Sequence, residues 1–131
     1  MPKFGKRSKE RLETCEEPLQ ILFNEVIKDF DCTVLVGHRG EEDQNRAFAE
    51  GKSKAKWGES KHNSFPSKAI DIVPYPIDWD DRDRYHFFAG FVMSVAIQLG
   101  INIRWGGNWA NDFNTGFIKN RFDDLVHFEL I

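Results

Sequence analysis

The sequence predicts an α+β fold in which a small antiparallel sheet is flanked by helices. Apolar residues recur at spacings of three and four in long segments, which is typical of amphipathic helices. Short runs that are rich in β-branched residues and end at glycine or proline indicate strands. These helical and strand segments come in mixed order with several long gaps, and that order favours α+β over the other fold classes.

Three segments are predicted as helices. Residues 12–30 carry an apolar stripe in which Pro18 implies a short first turn, with the main helix beginning near Glu17. Residues 41–50 begin with acidic residues and stop at Gly51. Residues 78–100 also start with acids, keep helical spacing and stop at Gly100.

Four segments are predicted as strands, at residues 32–37, 68–76, 101–105 and 125–131. The stretch between the last two, residues 106–117, is rich in Gly, Asn and Asp, which suits turns rather than regular structure. We therefore expect a sheet whose final strand is formed by the last residues of the chain.

Size and composition indicate one globular domain that spans residues 1–131. The chain has a mass of 15.3 kDa and is 40% hydrophobic, 14% aromatic and 30% charged. A net charge of −3 argues against nucleic acid as a partner, and the basic residues between Lys3 and Arg11 are interpreted as a solvated terminus. We expect Cys15 and Cys32, which lack a Cys-x-x-Cys spacing, to be buried free thiols in a protein folded in a reducing compartment.

No apolar run approaches the length of a membrane span, and no apolar signal region follows the basic N-terminus. The sequence therefore predicts no stable membrane insertion and no signal peptide. We also expect a monomer.

Two strands carry an ionisable residue inside an otherwise apolar run. Strand side chains alternate, so Asp71 shares a face with Ala69 and Val73, and His127 shares one with Leu125 and Glu129. Burying such groups is costly unless they are paired or bind a metal. In one explanation Asp71 pairs with an arginine, Arg39 or Arg104, and His127 hydrogen-bonds in the core.

In the other explanation these residues hold a metal. His62, Asp71 and His127 offer two imidazoles and a carboxylate, the ligand set of a catalytic zinc that keeps its fourth position for water. Asp124, three residues before His127, is close enough to act on that water as a general base. Asp123 is a minor rival for this role, and Glu129 is a candidate to hold a metal ligand or an arginine.

With these residues the sequence resembles the zinc peptidases of the D-alanyl-D-alanine carboxypeptidase and dipeptidase group, whose fold is shared with the Hedgehog signalling domain. It looks most like the phage endolysins that are L-alanyl-D-glutamate peptidases. The family pattern is Ser-x-His, a loop, Ala-x-Asp, and later an acid three residues before a second His. Here these are Ser60, His62, Ala69, Asp71, Asp124 and His127.

The resemblance covers nearly the whole chain and implies a role for each matched residue. It implies that His62, Asp71 and His127 bind Zn2+ and that Asp124 is the catalytic base and proton shuttle. It further implies that Arg39 steadies the substrate carbonyl or its oxyanion. Ser60 either hydrogen-bonds the substrate or caps its loop. The interval from His62 to Asp71 is two residues longer than the usual seven, a difference that a loop absorbs at little cost.

The resemblance implies a zinc peptidase that cleaves peptidoglycan stem peptides at the L-alanyl-D-glutamate bond, as an endolysin in host lysis. Such an enzyme would be made in the host cytoplasm and act at the cell wall after release. Two alternatives remain open. One is a D-alanyl-D-alanine carboxypeptidase of the same family, and the other is a non-catalytic module that keeps the zinc and binds the cell wall.

Overall fold

The computed structural model describes residues 1–112 and 123–131, and the elements named here lie within those ranges. The α-helices are α1 (Lys6–Leu12), α2 (Glu17–Val26), α3 (Glu41–Ala49) and α4 (Arg82–Leu99), and a short 3-10 helix covers Lys61–Asn63. The strands are β1 (Cys32–Val36), β2 (Ala69–Pro74), β3 (Ile103–Trp105) and β4 (His127–Leu130). These elements confirm the predicted α+β class.

The four strands form one sheet in the order β1-β2-β4-β3, in which every neighbouring pair is antiparallel. One face of the sheet packs on helices α2 and α4. Ile70 and Ile72 of β2 point into this core, where the ring of Phe128 meets Phe23 at 5.7 Å and Phe88 at 6.2 Å between centroids. The alternation of side chains therefore sends Asp71 and His127 to the opposite face.

Helix α4 has the end signals that the sequence indicates. The carboxylate of Asp81 accepts a hydrogen bond from the backbone N–H of Arg84, so the acidic run ends as an N-cap and the helix begins at Arg82. Gly100 ends the helix in the left-handed conformation, at φ 71°. None of the helices in residues 1–112 and 123–131 is long and apolar enough to cross a membrane.

The N-terminal basic stretch is a helix, which the sequence analysis did not predict. In α1 the side chains of Ser8 and Leu12 are buried, and the Ser8 hydroxyl accepts a hydrogen bond from the backbone N–H of Val34 at 3.1 Å. Arg11 donates to the carbonyl of Val34 at 3.0 Å. The stretch is therefore not simply a solvated terminus: its lysines face water, whereas one side of the helix packs on β1.

The predictions for the cysteines and the turn-rich loop can be compared with the structure. Cys15 and Cys32 are buried and free, and burial raises the pKa of both thiols, that of Cys15 to about 12. Residues 106–112 contain two turns, at 106–107 and 109–110, and no helix or strand, as predicted. The prediction for residues 113–117 lies outside the described part of the chain.

Candidate metal centre

Asp71 lies at the centre of the candidate site, in the middle of β2. The register of the sheet places it opposite His127 of β4. Its Oδ1 lies 3.1 Å from Nε2 of His62 and 3.1 Å from Nδ1 of His127. Burial by itself would raise the pKa of Asp71, but the hydrogen bonds from His127 and His62 hold it well below its ordinary value. The carboxylate is therefore charged in the folded protein.

His62 is positioned by a capped turn of 3-10 helix. The hydroxyl of Ser60 accepts from the backbone N–H of His62 at 3.1 Å, and the side chain of Asn63 accepts from the N–H of Ser60 at 3.2 Å. The Nδ1 atom of His62 lies 2.7 Å from the carbonyl oxygen of Gly37. Because a carbonyl can only accept, Nδ1 carries a proton, and Nε2 is the ring atom that faces Asp71.

His127 is oriented by Glu129, two residues along the same face of β4. Its Nε2 lies 2.9 Å from Oε1 of Glu129, whose other oxygen contacts Lys61 and Arg104, each at 3.1 Å. The pKa of Glu129 falls to about 2 because these hydrogen bonds outweigh the effect of burial. Hydrogen bonds with Asp71 and Glu129 likewise outweigh burial and raise the pKa of His127 to about 9.

The three side chains fit a metal ion. One ligand atom each from His62, Asp71 and His127 can be chosen so that all lie within 4.8 Å of one another, and all three residues are buried. Bonds of about 2.0–2.2 Å at tetrahedral angles would separate ligand atoms by roughly 3.4 Å. Both histidines also have their other ring nitrogen on a carbonyl or carboxylate oxygen, as metal-binding histidines do. Two imidazoles and one carboxylate form a donor set that suits zinc.

Arg39 lies beside this group, in the loop after β1. Its Nη2 is 3.6 Å from Oδ2 of Asp71, and its backbone N–H donates to the carbonyl of His62 at 2.8 Å. Arg39 thus approaches the carboxylate oxygen that the histidines do not use. The arginine pair and the His-Asp-His group, which the sequence presented as alternatives, therefore exist together. Arg104 pairs with Glu129 instead.

Gln44 of α3 is a site residue that the sequence analysis missed. Its side chain is fully buried, and its Oε1 accepts from Arg39 at 3.2 Å and from Asn63 at 3.0 Å. Its Nε2 donates to the Ser53 hydroxyl at 3.0 Å and to the Ala55 carbonyl at 2.6 Å. One amide therefore joins Arg39, the turn that carries His62 and the wall at residues 53–55. A single glutamine on a polar helix has no sequence signal that would reveal this.

Asp124 lines the same cleft as the three candidate ligands, whereas Asp123 turns away to pair with Arg82. Burial, and then the nearby charge of Asp71, raise the pKa of Asp124. The backbone at position 106 packs so closely against Asp124 that it requires a glycine, because a Cβ on Gly106 would lie 2.2 Å from the Asp124 carbonyl oxygen. The backbone N–H of Asp124 also donates to the Gly106 carbonyl, at 2.9 Å.

The two tryptophans beside Gly106 differ in their surroundings. Trp105 is a core residue, 3% exposed, whose Nε1 donates to the carbonyl of Leu125 at 2.8 Å. Trp109 lines the cleft, and its ring centroid lies 5.5 Å from that of His127. Of the other histidines, His38 contacts the Ser64 carbonyl and His86 the Arg82 carbonyl, and neither lines this cleft.

The long loop between His62 and Asp71 is held against the chain before α2. Ser67 donates its N–H to the carbonyl of Thr14 and accepts from the N–H of Glu16, both at 2.8 Å. The Ser67 hydroxyl also donates to the Ala69 carbonyl at 2.7 Å. The two additional residues are thus absorbed between anchored ends, and His62 still faces Asp71.

Two comparisons with known proteins bear on this site and fold. The family model of phage L-alanyl-D-glutamate peptidases matches residues 1–131. Among solved structures, the fold is similar to that of the L-Ala D-Glu endopeptidase ChiX of Serratia marcescens, with a TM-score of 0.76 and 24% sequence identity over 99% of this chain and 91% of that chain. Because the family model spans the whole chain, this protein belongs to the phage L-alanyl-D-glutamate peptidases, which are peptidoglycan hydrolases.

Proposed function

We propose that the protein is a zinc-dependent endopeptidase that hydrolyses the L-alanyl-D-glutamate bond of peptidoglycan stem peptides and acts as an endolysin. The observation that carries this proposal is the convergence of His62, Asp71 and His127 on one point, with Asp124 on the wall of the same cleft. His62, Asp71 and His127 would hold the zinc ion. Zinc at such a site supplies polarisation of a carbonyl oxygen and a lower pKa for water.

Asp124 is the proton carrier in this proposal. It takes one proton from the attacking water as the water oxygen bonds to the carbonyl carbon of L-alanine. It then returns that proton to the nitrogen of D-glutamate as the C–N bond breaks, which gives a carboxylic acid and an amine. The remaining acid proton passes to the amine, so that the released products are a carboxylate and an ammonium group. Asp123 is a poorer choice because it pairs with Arg82 and does not line the cleft.

Arg39 supplies positive charge where the carbonyl oxygen becomes negative. Its guanidinium lines the cleft, and contacts with Gln44 and Asp71 hold two of its nitrogens in place. A group that is already fixed need not reorganise during the reaction, which is the condition under which hydrogen bonding to an oxyanion is most effective. Ser60 caps the turn that carries His62 and also lines the cleft, where it can contact the substrate.

We further propose that residues 1–131 form one catalytic domain that acts as a monomer. It is made in the host cytoplasm and reaches the cell wall after release. A cleft that contains all the proposed catalytic groups of one chain is consistent with activity as a monomer.

The proposal is tested by zinc content together with mass spectrometry of purified muropeptides. The wild-type protein should bind one zinc ion per chain and produce fragments with a new D-glutamate amino terminus. The Asp124→Asn variant should keep its zinc and lose at least about a hundredfold in kcat, the lower range for loss of general base catalysis. Asp123→Asn is the matched control and should remain within about threefold of wild type, since one exposed ion pair contributes little.

Three results would contradict the proposal or redirect it. Intact muropeptides after incubation with the zinc-loaded protein would favour a module that binds the wall without cleaving it. Release of free D-alanine would identify a carboxypeptidase instead. Full activity in Asp124→Asn would exclude Asp124 as the base.

A further inference from the structure

Beside Asp124 the cleft adjoins a second recess whose other residues have no part in the proposed mechanism. We call it the aromatic recess: it is lined by Trp79, Arg82 and Tyr85 on one side and by residues 123–126 on the other. Trp79, Asp124 and Val126 line both the cleft and the recess, so the two cavities adjoin at these residues. A substrate bound at the metal centre can therefore extend into the recess.

The aromatic recess presents groups that suit a ligand. Trp79 is 61% exposed and lies over Tyr85, with ring centroids 6.3 Å apart and an angle of 19° between their planes. Tyr85 is only 3% exposed, yet its buried hydroxyl has no hydrogen-bond partner in the described structure. A buried polar group without a partner is costly, and a ligand that contacts it removes that cost. An exposed aromatic face with one polar group is a common form of binding subsite.

The sheet register places this recess and the basic wall of the cleft on opposite sides of the metal centre. Asp71 pairs with His127, and Ala69 pairs with Glu129, so Glu129 lies toward the start of β2. The N–H of Ile72 donates to the carbonyl of Val126, so the residues before β4 lie toward the end of β2. The aromatic recess therefore lies at the end of β2, and the wall that contacts Glu129 lies at its start.

The two sides also differ in charge. Besides Asp71 and Asp124, the charged residues that line the cleft are the cations Arg39, Lys52, Lys54 and Lys61 and the acids Glu59 and Glu129, an excess of positive charge. Arg39 follows β1, whose last residue pairs with Asp71, and Lys61 contacts Glu129, so these two cations lie toward the start of β2. Glu129 is already paired with Lys61 and Arg104. In the aromatic recess Arg82 is paired with Asp123, and Asp124 adds a further acid. Carboxylates of a substrate are thus favoured at the basic wall and disfavoured in the recess.

We propose that the aromatic recess binds the uncharged acetylated sugar that precedes L-alanine in peptidoglycan. On the other side of the scissile bond, D-glutamate and the following residues carry carboxylates, which would face the basic wall. The charge difference across the cleft thereby sets the direction in which the substrate binds. This inference rests on the proposed function, because it assumes that the scissile bond lies at the metal centre.

Binding of product fragments tests the inference without requiring turnover. The probes are N-acetylmuramoyl-L-alanine and N-lactoyl-L-alanine, which lacks only the sugar ring, titrated into zinc-loaded protein and followed by NMR. Wild type should bind the sugar probe roughly tenfold more tightly, a difference of about 1.4 kcal/mol. Trp79→Ala should abolish this preference, because it should weaken binding of the sugar probe far more than binding of the sugar-free probe. Trp57→Ala, which replaces a tryptophan outside the cleft and recess, is the matched control and should keep the preference.

A second variant separates binding from folding. Tyr85→Phe should lower affinity for the sugar probe several-fold without lowering the free energy of unfolding, because the hydroxyl it removes has no partner among residues 1–112 and 123–131. A purely structural hydroxyl would instead make this variant less stable.

Each further outcome has a distinct meaning. Equal binding of the two probes by wild type, or an equal loss for both in Trp79→Ala, would overturn the inference. The inference would also be overturned if Trp79→Ala spared binding of the sugar probe and weakened binding of the other product, the peptide that begins with D-glutamate. The substrate would then lie in the opposite direction. If the sugar preference is found but no muropeptide is hydrolysed, the recess is supported and the proposed function fails.

Discussion

Replacing Gln44 with leucine should cost the protein far more than its position on a polar helix suggests. Its amide makes four hydrogen bonds in a fully buried position. Each is worth about 1 kcal/mol net, so their loss costs roughly 4 kcal/mol. Leucine recovers about 1 kcal/mol of this through its apolar side chain. We therefore expect Gln44→Leu to lower the free energy of unfolding by about 3 kcal/mol, a large share of a typical 5–15 kcal/mol.

The same substitution should affect catalysis and leave metal binding unchanged. Gln44 contacts Arg39 but none of the three proposed ligands. Loss of this contact frees the guanidinium, and kcat/KM should fall roughly tenfold, the equivalent of about 1.4 kcal/mol. Zinc affinity should stay within about threefold of wild type.

Urea denaturation of the zinc-free protein measures the first effect, and chelator competition measures zinc affinity. Gln20→Leu is the matched control, because the Gln20 amide makes one bond, to the Cys15 carbonyl at 2.8 Å, and is only partly buried. It should cost about 1 kcal/mol. If Gln44→Leu were no more destabilising than Gln20→Leu, the reasoning from the buried hydrogen bonds would be wrong.

Three further predictions follow from the geometry. Gly106→Ala should lower kcat/KM and spare zinc content, because the new Cβ would displace Asp124. The matched control is Gly90→Ala on α4, which should leave activity unchanged, since a Cβ there meets no atom of the described residues within 4 Å. The raised pKa values of Cys15 and Cys32 predict thiols that react with alkylating reagents only after unfolding. Because these folded values lie above the ordinary 9.0, their contribution to stability is complete below pH 9 and declines above it, as urea titrations at pH 8 and 10 would show. Chelation of the proposed zinc should lower Tm without unfolding the protein, because Asp71 and Glu129 remain paired with the two histidines. Loss of the circular dichroism signal on chelation would contradict this.

Short-range patterns predicted much of the fold. The acids and Gly100 at the ends of α4, and the β-branched run of β1, are local signals, and the structure contains the elements that they indicate. The first helix was missed because its apolar contribution is small: Ser8 and Leu12 become buried only when β1 lies against them. A stretch with five basic residues gives no strong periodic signal by itself.

The candidate ligands could be named from the sequence because burying ionisable groups in strands has few explanations. Asp71 and His127 interrupt apolar runs, and strand alternation places each on the face opposite the core. The role of Glu129 beside His127 was accessible for the same reason, since residues two apart on a strand share a face. Relating the arginine pair to the candidate metal group required distances, and these show that Arg39 contacts Asp71 while Asp71 also lies beside both histidines in a cluster that could hold a metal.

The sequence by itself determined the fold class, the side of each strand on which the ionisable residues lie, and which residues are candidates for the donor set. These depend on periodicity and residue chemistry, which are local properties. Only the tertiary structure decided that Gln44 joins three walls of the cleft and that Asp124, not Asp123, faces it. It also decided that the Tyr85 hydroxyl, in the adjoining recess, has no partner in the part of the chain that is described. Those properties depend on which distant segments of the chain come into contact. The contacts form only when the chain folds and β2 pairs with β4 in the observed register.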